Sequence, residues 1–193
     1  MRRPLIALIV VSSLAAFAAG GASLRDAATY LAAGEGDAAA AELTAYGKGE
    51  PTAPLANQAL DCVLLIYKKK IEPKSLAPYV DALALLADGY ATTADAVFRD
   101  MATDEELPWA LRGRAVLLAA DMDTAGDRLR LLEDAWRECD DDTGRLLAVA
   151  LAQAYYDAGR VAEARAVRDE FERRFPGDEG IKYFEYLAED EGR

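Results

Sequence analysis

Glycine and proline divide the chain from residue 23 onward into segments mostly between 10 and 18 residues long, and within them apolar residues return every three or four positions. That spacing predicts helices near residues 23–33, 37–47, 55–70, 75–88, 92–102, 107–120, 124–138, 143–158, 161–174 and 178–189. The breaks have chemical causes. Gly34 and Gly36 end the first segment, Pro51 and Pro54 separate the second from the third, and Gly89 and Gly159 stand where a residue just past a helix takes positive φ. Asp104, Glu105 and Glu106 before Pro108 suit the positive end of a helix dipole. Usage agrees, with 41 Ala and 25 Leu against 5 Ile and 9 Val, since sheets favour β-branched residues. The expected class is all-α.

Residues 1–22 are a different object. Arg2 and Arg3 precede an uncharged run from Leu5 to Ala19, followed by the small residues Gly20, Gly21 and Ala22. This is the layout of a secretory signal peptide cut near Gly20 to Ala22, and it predicts a periplasmic or secreted product. The alternative is an uncleaved inner-membrane anchor facing the periplasm. No Cys precedes Cys62, so a lipid anchor at a cleavage-site Cys is not expected. Residues 23–193 are expected to form one domain. The whole chain carries a net charge of -12, and removing two Arg with the leader makes the remainder more acidic still. Such a surface repels phosphate backbones and anionic headgroups, so neither nucleic acid nor, once the leader is removed, direct membrane binding is expected.

The faces of individual segments are legible. Val161, Ala164, Val167, Phe171 and Phe175 make one buried stripe, and Leu129, Leu132, Trp136 and Cys139 another. From Leu146 to Tyr156 the eighth segment is apolar nearly all round, which predicts a helix sandwiched between neighbours. Ile181, Tyr183, Phe184 and Leu187 are expected to dock a C-terminal cap, with Glu185, Glu189, Asp190 and Glu191 outside. A shift of 125 lays Tyr30–Pro51 on Tyr155–Pro176 without a gap and matches Tyr30, Ala33, Gly34, Ala39, Ala41 and Pro51. Gly89, Ala94 and Phe98 give a looser third copy.

These residues resemble the tetratricopeptide repeat, a helix-turn-helix unit of about 34 residues. Leu151, Ala152, Tyr155, Ala164 and Pro176 carry the clearest likeness, and Ala94 with Phe98 another part of it. Ala148 stands where the family often has Trp, Arg168 where it usually has an aromatic, and the helix over 55–70 has no obvious hairpin partner. The likeness covers residues 143–176 best and 23–51 and 75–106 less closely. It implies a right-handed α-solenoid of hairpins with a C-terminal capping helix, each hairpin covering an apolar face of the last. It further implies a protein or peptide partner held in an inter-hairpin groove by the first helix of each repeat, which on this chain points to Tyr79, Leu146, Gln153, Tyr156 and Asp157. The pattern is also similar to that of repeat proteins of bacterial envelope assembly and of the Tol-Pal system.

Motifs for chemistry are weak. His is absent, which removes the usual general base, the Ser-His and Cys-His pairs and His-ligated metals. Gly34, Gly36 and Ala39 mimic a dinucleotide fingerprint, but a helix precedes them and Glu35 and Asp37 would repel phosphate. Asp121, Asp123 and Gly126 open like a calcium loop, yet Leu132 stands where the bidentate acid belongs, so capping by Asp123 or Thr124 explains them better. Asp140, Asp141 and Asp142 read as helix punctuation. Lys68, Lys69 and Lys70 form the only basic block and suit a helix C-terminus, or a dock for an acidic partner. Cys62 and Cys139 allow one disulfide, worth about 4 kcal/mol in the entropic account, or two buried thiols. The expected function is an exported, non-enzymatic scaffold for protein–protein interaction, in envelope assembly, with no cofactor. Two alternatives are a divalent-metal or ligand-binding helical domain using Asp and Glu, and an inner-membrane-anchored chaperone-like subunit.

Overall fold

The computed structural model describes residues 23–49, 55–122, 126–139 and 142–190. Among them are ten helices and no strand: α1 (Leu24–Ala33), α2 (Gly36–Gly49), α3 (Ala56–Tyr67), α4 (Pro73–Ala87), α5 (Ala91–Thr103), α6 (Trp109–Asp121), α7 (Arg128–Glu138), α8 (Thr143–Asp157), α9 (Val161–Arg174) and α10 (Ile181–Asp190). The class is all-α. Residues gather into two compact units, and the division in sequence falls between Val97 and Phe98, inside α5.

In the first unit, α1 begins at an N-cap where Ser23 Oγ accepts the Asp26 N–H at 3.0 Å. It buries Leu24, Ala27, Ala28 and Leu31, one stripe at helical spacing. α1 packs on α2 and, more extensively, on α4, while α2 packs on α3 and α3 touches α4. Arg25 Nε adds a hydrogen bond to Asp88 at 3.0 Å, just past the end of α4. The helix over 55–70, without an obvious partner in sequence, therefore lies against α2. It does so through Gly47, where a Cβ would stand 2.6 Å from Leu60 Cγ and 3.0 Å from the Ala56 carbonyl.

In the second unit, α8 is the central element. It packs against α6, α7, α9 and α10, and α10 also touches α9. Its nearly all-round apolar sequence is explained by that enclosure: Leu147, Ala148, Leu151, Ala152, Ala154, Tyr155 and Tyr156 are buried. α6 comes close to α8 through Gly113, where a Cβ would overlap Thr143 Cγ2. Phe171 of α9 stacks at tilted angles with Phe175 at 5.3 Å and Phe184 of α10 at 5.0 Å. The cap docks through Phe184, with Ile181 and Leu187 partly buried beside it. Tyr183 was expected to dock with them and instead is 64% exposed. At 100° per residue it lies beside Leu187, at the edge of the face centred on Phe184, and that edge is left in solvent.

Three turns between consecutive helices share one hydrogen-bond pattern. Gly34, Gly89 and Gly159 have φ of 84°, 86° and 70°, the left-handed conformation that glycine takes without a Cβ penalty. In each turn the glycine N–H reaches back three residues, to Leu31, Leu86 and Tyr156. The next N–H reaches back five, from Glu35 to Tyr30, Tyr90 to Leu85 and Arg160 to Tyr155. The residue after each glycine then accepts from a fully enclosed alanine four positions on, Ala39, Ala94 and Ala164. α3 stops at Tyr67, short of residue 70, because the chain must turn into α4 at Pro73; Lys70 takes φ 51° and Ile71 tucks inward. Asp123 and Thr124, the expected caps of α7, lie outside the described residues, as do Asp140 and Asp141.

Candidate partner-binding surface

Residues 146, 150, 153 and 157 lie along one stripe of α8 at steps of four, three and four. This is the one stripe of the helix left open by its neighbours. Leu146 is 48% exposed, Ala150 and Gln153 are half-buried, and Asp157 is exposed. Gln153 Nε2 donates to Asp157 Oδ1 at 2.8 Å, one turn along the helix, and Arg128 Nη1 donates to Asp157 Oδ2 at 3.0 Å from the start of α7. Both carboxylate oxygens are thus occupied, so the far end of the stripe presents a fixed, charge-balanced polar cluster. Beside Leu146 at the other end, Arg145 bonds Asp142 at 2.7 Å, pairs with Asp178 at 2.7 Å and lies 4.9 Å from the Phe175 ring centroid.

Leu146, Gln153 and Asp157 therefore share one accessible face of α8. Tyr156 is not on it: it is 6% exposed and belongs to the core of the second unit. Tyr79, on α4 of the first unit, is 2% exposed and also a packing residue. Neither ring is accessible to a partner, because each occupies the inward stripe of its helix.

A second cluster backs α8. Tyr155 Oη donates to Glu133 Oε1 of α7 at 2.7 Å, and the Arg160 guanidinium lies 4.6 Å from the Tyr155 ring centroid and 3.6 Å from Glu133. Burial first, and then the hydrogen bond to Glu133, push the Tyr155 phenol up to about 12. It stays a neutral donor across the physiological range and acts as a strut between α7 and α8. At the opposite end of the helices, a cleft of about 250 Å³ is lined by Arg137, Glu138, Cys139, Arg174 and Phe175. Arg174 Nη1 donates to the carbonyls of Trp136 at 3.0 Å and Cys139 at 3.1 Å, and its guanidinium covers the Trp136 ring at 3.9 Å. Its Nε donates to Glu170 at 2.9 Å. Hydrogen bonds from Arg173 and Arg174 pull the Glu170 carboxyl down to about 2.

Among the described residues no group of three His, Cys, Asp or Glu side chains is placed to hold a metal. Cys62 on α3 and Cys139 at the end of α7 are both buried thiols. No helix among the described residues is long and apolar enough to cross a membrane. Sequence reasoning missed Arg128, which fixes Asp157 from 29 positions away, and Arg145, whose partners straddle two loops. Local signals for this network were confined to the i, i+4 pair of Gln153 and Asp157 and the i, i+3 pair of Asp142 and Arg145. Compared with family models, with curated proteins and with solved structures, the chain matches none of them.

Proposed function

We propose that the chain is an exported helical-repeat scaffold that binds a segment of another protein along the open stripe of α8. The observation that carries this reading is that α8, packed by four other helices, still leaves Leu146 half in solvent at one end of a stripe whose other end is the ordered Gln153–Asp157–Arg128 cluster. An apolar anchor beside preorganised polar groups is what a binding face needs, since little ordering remains to be done on association.

A tetratricopeptide-like solenoid is the arrangement we favour for presenting that face. It is supported by the three turns of identical hydrogen bonding, each leading to an enclosed alanine. It is also supported by α1 packing on α4 and α6 on α8, as first helices of successive hairpins do, and by α10 covering the exposed side of α8 and α9. On this reading α3 is an insertion set against α2, and residues 1–22 are an export signal that places the product in the periplasm, where it serves envelope assembly.

A photo-crosslinking residue at position 146 or 153, introduced into the full chain in its native envelope, tests the proposal. Discrete protein adducts are expected from both positions and none from position 165, which is exposed on α9. Equal labelling from 165, or none from 146 and 153, would overturn it. The intact mass of the recovered protein reads export in the same sample, and an N-terminus still at Met1 would defeat that part.

A further inference from the structure

Four of the chain's six lysines lie between residues 68 and 74. All four side chains, Lys68, Lys69, Lys70 and Lys74, are exposed. They gather at one end of the first unit, where α3 stops and α4 starts, next to the turn between α1 and α2. A Cβ on Gly34 would lie 3.6 Å from Lys74 Cε, and one on Gly36 would lie 3.1 Å from Pro73 Cγ and 3.6 Å from Ile66 Cγ2. Beside the lysines, Leu64 and Tyr67 of α3 are 47% and 55% exposed, one turn apart on the same helix. Tyr67 is held in place by its hydroxyl, which donates to Asp37 Oδ1 at 3.0 Å.

Helix-end electrostatics explains only part of this block. Lys68 and Lys69 follow the negative end of α3, where cations are favoured. Lys74 is the second residue of α4, at its positive end, where a cation is disfavoured. Lys70 has φ 51°, the only positive φ among the non-glycine residues described, at a position that glycine would occupy without strain. Two local choices thus run against helix and backbone preference, and both keep positive charge at the same place. Such breaches mark functional surfaces.

We propose that Leu64, Tyr67 and the Lys68–Lys74 block form a second docking surface, which takes an acidic protein segment bearing an apolar anchor residue. Charge complementarity selects the occupant, since the block is a concentrated basic patch on a chain of net charge -12. A lipid surface fits less well. Asn57 and Asp61 share the outward stripe of α3 with Leu64, and Asp37 and Glu72 rim the block, whereas interfacial helices offer lipid a broad apolar face. The surface lies on α3 and the start of α4, so it stands or falls independently of the α8 stripe.

Panning the full chain against a random peptide library of about 12 residues, in about 0.15 M salt, tests this. Selected peptides should be rich in Asp and Glu around one aliphatic or aromatic residue. Their affinity should fall at least about tenfold in the triple variant Lys68→Glu, Lys70→Glu and Lys74→Glu, and also in Leu64→Ser with Tyr67→Ser. Circular dichroism spectra of both variants at room temperature should keep the parent's helix content, since every substituted side chain is exposed, with melting temperatures lowered only by the lost Tyr67–Asp37 bond and helix-end charge. Selection without acidic enrichment, or affinity indifferent to both variants, would overturn the proposal. So would equally salt-sensitive binding to vesicles of phosphatidylglycerol and phosphatidylcholine, which would assign the surface to membrane. Crosslinking from position 146 is unaffected by these variants, so failure here is distinguishable from failure of the α8 reading.

Discussion

Arg174 satisfies two backbone carbonyls, covers an indole and, with Arg173, holds Glu170 ionised. The last of these has a pH consequence whose sign is fixed. Glu170 titrates near 4.5 when unfolded and at about 2 in the fold, so the folded chain binds fewer protons in that interval. Its contribution to stability is complete above 4.5 and is lost as pH falls from there toward 2. Melting temperature should therefore fall more steeply between those values for the parent than for Glu170→Gln, with the two curves converging at the acid end. Parallel curves would show that the pair is inert. At this scale the sequence revealed partners one turn apart, such as Gln153 with Asp157, but not Arg128 with Asp157 or Tyr155 with Glu133. Their separations of 29 and 22 residues become contacts only after α7 and α8 have packed.

Element boundaries were legible because the punctuation is backbone chemistry. Positive-φ glycines and helix-starting prolines act locally, and they place nearly all of the ten helices within about three residues of the pattern read from sequence. Close approach between helices was not legible, since a glycine inside a helical segment looks like a weak helix former rather than a point of contact. Gly113 is the clearest case. In isolation, Ala would be the better helix residue by about 1 kcal/mol, yet its Cβ would overlap Thr143 Cγ2 across the α6–α8 contact. Gly113→Ala should therefore destabilise the protein by about 1–3 kcal/mol in urea titration. Replacing Thr143 with Ser, which deletes that methyl group, should recover most of the loss. Absence of recovery would show that backbone and not the methyl sets the α6–α8 distance. The same limit explains Tyr183 and Tyr156: periodicity fixed which residues share a stripe, but only packed neighbours decide which stripe is covered.

Across the whole molecule, the two cysteines report on how the chain handles oxidation. Each is at most 1% exposed, Cys62 in the first unit and Cys139 in the second. A thiol reagent applied without reductant should label neither in the native protein and two per chain after unfolding. No labelling after unfolding would mean that they are bridged. The shortage of β-branched residues settled the helical class from composition alone, whereas the contact between α1 and α4 could not be read from any pattern. It depends on α3 being set aside against α2, which a 34-residue period does not anticipate.

That contact also orders events in time. Everything from Gly34 to Glu72 is a loop closed by α1 meeting α4, and closing a loop of this length costs only slightly more than closing a shorter one. The delay is of another kind. A chain that leaves the ribosome or crosses a membrane N-terminus first releases α1 before the other described helices of its unit, yet α1 finds its most extensive partner only once α4 has followed. The earliest of these helices to emerge therefore gains its most extensive contact only after α2 and α3 have followed it out.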